Sequence, residues 1–366
     1  MKRLIYTIGA LFAGLAAAGF LVALSGIMPV KASAGHWPVT RWLLDFSMQR
    51  SISTHSLGIK APKLDDPGLV LKGAGHYETG CSSCHGRPGR RQPRIAQQML
   101  PPPPQLPERI RDRRPEKLFY AVKHGLKFTG MPAWPTQQRD DEVWAMVAFL
   151  QELPDLDEAG YRRLVYGEPE SAAPADLLTP GPEHPSAAIQ TCARCHGGDG
   201  LGRGSLLPKL AGQRLEYLEN ALEAYARGER HSGIMEPVAA ALNTEEIQEL
   251  SRFYSSLAVA TPEPPFRLNV DAITRGSKIA RLGIPSQRVP SCVDCHGPGG
   301  QRIKAAYPAL AGQPADYLVL QLQLFQQDLR GGSAYAHLMR PVSTRLTPEQ
   351  MRDVALYFES LQGDHP

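Results

Sequence analysis

Cys192-Ala193-Arg194-Cys195-His196-Gly197 returns 100 residues later as Cys292-Val293-Asp294-Cys295-His296-Gly297. The same offset of 100 carries Pro208-Lys209-Leu210-Ala211-Gly212-Gln213 onto Pro308-Ala309-Leu310-Ala311-Gly312-Gln313, and Tyr217-Leu218 onto Tyr317-Leu318. Farther on the offset becomes 104, for Met235 and Met339 and for Phe253-Tyr254 and Tyr357-Phe358. The last unit therefore has a longer methionine loop. A period near 100 residues is too long for a solenoid and indicates tandem domains. A more distant third copy lies upstream: Cys81-Ser82-Ser83-Cys84-His85-Gly86, then Met131, then Phe149, which precedes Phe253 by 104. Between its motif and its methionine this copy carries the tetraproline Pro101 to Pro104.

Strand signals are scarce and helix signals recur. Leu215 to Ala226 and Ala315 to Leu329 have helical periodicity. The closing helices start at Asn243 with Glu246, and at Thr347 with Pro348 and Gln350; the second is a capping box with proline at the first helical position. Each unit reads as helix, C-x-x-C-H turn, loop, helix, methionine loop, helix, so the expected architecture is all-α. Glu168 to Pro185 and Thr261 to Pro265 are Pro-rich and read as linkers. The expected organisation is an anchor at 1–30, a juxtamembrane amphipathic segment at 31–66, domains at 67–167, 186–260 and 261–366, and a linker at 168–185.

After Met1-Lys2-Arg3 the 27 residues from Leu4 to Val30 are uncharged, long enough to span a bilayer and longer than a signal-peptide core. Ala32-Ser33-Ala34 fits a cleavage site, so a removed signal is the alternative. Over Val39 to Ile52 one helical face gathers Val39, Trp42, Leu43 and Phe46. That face suits either the headgroup region or packing on the first domain.

C-x-x-C-H is the attachment signature for c-type heme. Cysteines at i and i+3 share one side of a helical turn, where their sulfurs reach the two vinyl groups of one porphyrin edge. The next residue brings an imidazole under the ring. The expected attachment residues are Cys81, Cys84, Cys192, Cys195, Cys292 and Cys295, with His85, His196 and His296 as proximal iron ligands. The rivals are zinc, which needs four converging ligands, and a disulfide framework, which scatters its cysteines. For the sixth position the candidates are Met131, Met235 and Met339, because a soft thioether favours reduced iron. Met235 is the only methionine between Met146 and Met339. Met99 and Met351 are weaker sulfur alternatives, and His124, His231 and His337 would make bis-histidine sites.

The C-x-x-C-H motifs, the distal methionines and the aromatic closing helices resemble class I c-type cytochromes. Domains two and three are also similar to tandem diheme cytochromes that serve respiratory oxidases. Phe128-Thr129-Gly130-Met131-Pro132-Ala133-Trp134 resembles the methionine loop of membrane-bound respiratory cytochromes. The resemblance implies three covalently attached heme c groups on the periplasmic side of the bacterial cytoplasmic membrane. It further implies electron transfer in a respiratory chain toward a terminal oxidase, with a membrane-bound dehydrogenase complex as the alternative setting and a quinol-oxidising complex as a further partner. The tetraproline departs from the family pattern and leaves the first pocket's surroundings open.

The chain has 366 residues, a net charge of +4 and 42% hydrophobic residues, which is ordinary for folded protein and argues against bulk nucleic-acid binding. With all three irons six-coordinate none has an open position for a small-molecule substrate, and no Gly-rich dinucleotide fingerprint or Ser/His/Asp constellation stands out, so the expectation is a carrier, not an enzyme. Residues 87–127 carry eleven Lys and Arg against three Asp and Glu, which reads either as a solvated face or as a docking surface.

Overall fold

The computed structural model describes residues 2–28, 30–111, 113–167, 186–259, 269–297 and 304–361. The expected linker at 168–185 and the Thr261 to Pro265 stretch lie outside the described residues. Among the described residues the regular structure is helical, with only two isolated bridges, Arg87 with Arg90 and Ile284 with Val289.

Helix α1, Lys2–Leu24, is exposed along its whole length, and its 23 residues span about 34 Å, enough for a hydrocarbon core of about 30 Å. It stops short of Val30, at a turn where Gly26 takes φ 64°. Helix α2 covers Pro38–His55. Its first half exposes Val39, Trp42, Leu43 and Phe46, with Trp42 and Phe46 stacked at 5.5 Å. Its second half packs on the first unit, where Lys117 donates to Ser53 Oγ at 2.9 Å, Arg113 to Gln49 at 3.1 Å, and His55 stacks on Tyr120.

In the first unit, α3 (Pro67–His76) begins at Asp66, whose carboxylate caps the Gly68 amide, and continues through a π turn at Tyr77–Cys81 into the motif turn Ser82–His85. Helices α4 (Pro115–His124), α5 (Asp140–Glu152) and α6 (Glu158–Tyr166) close around it. The α3–α5 crossing is close because residue 73 is glycine; a Cβ there would collide with the Ala145 carbonyl. The core holds Tyr77, Phe119, Trp134, Phe149 and Tyr161.

The second unit comprises α7 (Ser186–His196), α8 (Leu215–Ala226) and α9 (Thr244–Ser256). The third comprises α10 (Val270–Leu282), α11 (Ala315–Gln326) and α12 (Pro348–Ser360). The expected capping box forms at Thr347/Gln350, and the helix start at Asn243/Glu246 is a second one. Helix α11 ends three residues before Leu329, and Asp328 just beyond it takes φ 61°. Gly276 permits the α10–α12 crossing as Gly73 does in the first unit, since a Cβ there would meet the Asp353 carbonyl.

Candidate heme sites

Each motif turn ends at its histidine, and the next residue leaves the helix with φ 71° at Gly86, 78° at Gly197 and 74° at Gly297. Each histidine is then fixed by one hydrogen bond. His85 Nδ1 lies 2.9 Å from the Pro104 carbonyl, His196 Nδ1 3.0 Å from that of Pro208, and His296 Nδ1 2.9 Å from that of Pro308. A carbonyl only accepts, so Nδ1 carries the proton and Nε2 keeps its lone pair for a metal. Burial pulls all three imidazoles below their ordinary range against the opposing carbonyl bond, His296 to about 4, so each is held in the neutral ligating form. The tetraproline is thereby explained. Its last carbonyl does for His85, across 19 residues, what Pro208 and Pro308 do across 12.

The second and third units open into one mostly apolar cavity of about 520 Å³. Cys192, Cys195, His196 and Met235 line one part; Cys292, Cys295, His296 and Met339 line the other. His231 and His337 do not line it, and His231 Nδ1 instead lies 3.6 Å from Glu236. None of the six cysteines is in a disulfide, and among the described residues no three His, Cys, Asp or Glu side chains converge as a metal-ion cage. Paired thiols, a neutral imidazole and a thioether on the wall of an apolar slot are a donor set that fits covalent heme.

In the first unit Met131 sits in a loop held by Thr129, whose Oγ1 accepts from the Met131 amide at 3.1 Å. The end of the Met99 side chain packs on Gly130, so both sulfur candidates lie at this loop. Tyr77 donates to the Gly86 carbonyl at 2.7 Å behind the motif, and Glu78 accepts from Arg87, Tyr161 and Tyr166, each at 2.7 Å. Burial would raise the Glu78 carboxyl, but these three donors hold it below the usual range.

Residues 68–150 and 186–253 match the family described as cytochrome c oxidase, cbb3-type, subunit III, and residues 274–362 match cytochrome c. A thiosulfate dehydrogenase electron acceptor of Stutzerimonas stutzeri (strain A1501) is 34% identical over 193 residues, 50% of this chain and 84% of that one. The chain belongs to the c-type cytochromes. A cytochrome c4 of Thiocapsa roseopersicina is 31% identical over 172 residues, covering 46% of this cytochrome and 86% of that one. The solved Acidithiobacillus ferrooxidans cytochrome c4 has 32% identity and a TM-score of 0.42, covering 46% of this chain and 98% of its own. By its family, this cytochrome is an electron-transfer protein with covalently bound heme c.

Sequence reasoning missed what joins the units of the cytochrome. Gln213 accepts from the Ala309 amide at 2.7 Å and donates to the Ala309 carbonyl at 3.1 Å. Gln313 does the same to Lys209, at 3.1 and 2.8 Å. The repeated P-x-L-A-G-Q was the available signal: each glutamine grips the second residue of its counterpart motif. Beside them, Arg230 and Arg330 both reach the Tyr217 hydroxyl, at 3.4 and 3.1 Å. Burial would raise that phenol, but the two guanidiniums hold it down, to about 8. From the first unit, Lys72, His76, Arg139 and Glu142 reach the wall of the second unit's site. His76 Nδ1 and Trp134 Nε1 are buried there without a hydrogen-bond partner, their rings 4.8 Å apart.

Proposed function

We propose that the chain is a membrane-anchored relay of three heme c groups, one in each of domains 67–167, 186–260 and 261–366, held behind α1 on the periplasmic face of the cytoplasmic membrane. The thioether bonds form at Cys81 and Cys84, Cys192 and Cys195, and Cys292 and Cys295. His85, His196 and His296 are the proximal ligands; Met131, Met235 and Met339 are the distal ones. Heme supplies the one-electron couple when bound, and the protein supplies attachment, ligand orientation and an apolar surround. The reading is carried by one observation, the imidazole-to-proline-carbonyl bond made three times over in copies that otherwise differ. Met235 and Met339 on the cavity wall, with His231 and His337 off it, support sulfur as the sixth ligand. With six ligands an iron has no open position for substrate, which makes the chain a carrier.

Relatives named as thiosulfate dehydrogenase electron acceptors favour a dehydrogenase as electron donor; the proposed acceptor downstream is a terminal oxidase. The test is carbon monoxide binding to the reduced, purified protein. The wild type should bind none, whereas Met235→Ala and Met339→Ala should each open one heme of three. A wild-type protein that takes up carbon monoxide, or variants that do not, would sink the ligand assignment.

A further inference from the structure

The methionine loop of the second unit is held by the first unit. Three consecutive residues, His231, Ser232 and Gly233, are gripped from across the domain boundary. Arg139 Nη1 donates to the His231 carbonyl at 2.8 Å. Ser232 Oγ donates to Glu142 Oε1 at 2.6 Å, and the Gly233 amide donates to Glu142 Oε2 at 2.6 Å. The Trp134 ring lies so close over Gly233 that a Cβ there would collide with it. Glu142, Ser232, Arg139 and Trp134 are buried, Glu142 and Ser232 each 2% exposed, and His231 is half-buried.

The grip reaches the sulfur candidate through one atom. Ser232 Oγ, whose hydroxyl donates to Glu142, accepts from the Met235 amide at 3.0 Å and the Ile234 amide at 3.3 Å. The start of the Met235–Ala240 helix is therefore registered on a carboxylate of another domain. Hydrogen bonds to a carboxylate are short and strong, and Arg139, whose Nη2 lies 3.0 Å from Glu142 Oε1, pairs with that carboxylate and orients it.

We infer that Glu142 is a positioning residue for Met235, so that the first domain sets how firmly the second heme's distal ligand is held. The inference rests on the proposed role of Met235. It distinguishes a loop placed by Glu142 from a loop that merely lies near a domain contact. Arg203 supplies the control. It joins the same two units elsewhere, donating to the Val165 and Leu164 carbonyls at 2.6 and 3.0 Å, with no bond to the methionine loop.

The experiment compares Glu142→Ala, Glu142→Gln and Arg203→Ala in the full-length heme-loaded protein, by amide hydrogen exchange over residues 231–236 and by carbon monoxide binding. Glu142→Ala should speed exchange in that segment several-fold and open one heme of three. Glu142→Gln, which keeps an acceptor for one of the two donors, should fall between it and the wild type. Arg203→Ala should leave exchange in the segment as in the wild type. If exchange in the segment is unchanged in Glu142→Ala, or rises equally in Arg203→Ala, the positioning role is overturned. The exchange result stands whatever ligand the second iron has. Met235→Ala, which ought to open the same heme, separates a wrong ligand assignment from a wrong positioning residue.

Discussion

The two boundaries between the units are built on different principles. Between the second and third units the contact is nearly symmetric: Gln213 and Gln313 trade places, each satisfying one amide and one carbonyl of the other copy. Between the first and second units it is asymmetric and charged, with Arg139 and Glu142 buried and Asp141 half-buried on one side and backbone groups gripped on the other. A repeated sequence can pair with itself through motifs it already carries twice. A diverged copy has no such counterpart, and here it docks through side chains placed for the purpose. The difference teaches that the pair is held by its repetition and the first unit by its specialisation.

The largest effect should come from the charged boundary. Arg139 is 6% exposed and donates to both oxygens of Asp141, at 2.7 and 2.8 Å, besides pairing with Glu142. Removing one partner of a buried ion pair strands the other charge, which costs about 3–5 kcal/mol. Arg139→Ala should therefore lower the first unit's stability by about that much in urea unfolding followed by circular dichroism. A loss below about 1 kcal/mol, the value of an exposed pair, would show that the boundary is not charged in the sense argued.

The symmetric boundary should give smaller and matched effects. Gln213→Ala leaves the Ala309 amide without its acceptor, and Gln313→Ala does the same to Lys209. A buried donor left unpaired costs about 1–3 kcal/mol, so each variant should lose that, and the two losses should agree within about 0.5 kcal/mol. Clearly unequal losses would break the symmetry on which the comparison depends.

Much of this was legible in the sequence, because the deciding signals are local. The C-x-x-C-H turns, the capping boxes at Asn243 and Thr347, and the helical periods of 215–226 and 315–326 need only near neighbours to form. What could not be read is contact between distant residues. Nothing at Glu142 distinguishes it in sequence from Asp140 or Asp141 in the same first turn, where acidic residues suit the helix dipole anyway. The basic stretch at 87–127 was readable only as a solvated face or a docking surface. Its Arg87, Arg111 and Lys123 bond to Glu78, Asp155 and Asp140, so part of its charge is used within the unit. Pro104 was legible only as an oddity, because its role depends on a carbonyl meeting a histidine 19 residues away.

The smallest effect lies inside the motif itself, where the two similar units differ. Between its cysteines the second unit has Arg194 and the third has Asp294. Arg194 faces the first unit: it donates to Thr79 Oγ1 at 3.0 Å, and its guanidinium lies 5.9 Å from the Tyr166 ring centroid. Asp294 is exposed. Two otherwise equivalent positions have thus diverged according to their neighbours. An exposed cation–π contact is worth about 0.5–1 kcal/mol, and a neutral hydrogen bond at a rim adds little. Arg194→Ala should therefore weaken the boundary between the first and second units by about 0.5–1 kcal/mol. Asp294→Ala, at the matching position without a neighbouring unit, should stay within about 0.5 kcal/mol of the wild type. Urea unfolding of the two variants side by side checks both. Equal losses would mean that Arg194 acts within its own motif turn, and the difference between the two boundaries would then begin at Glu142 and not at the heme attachment site.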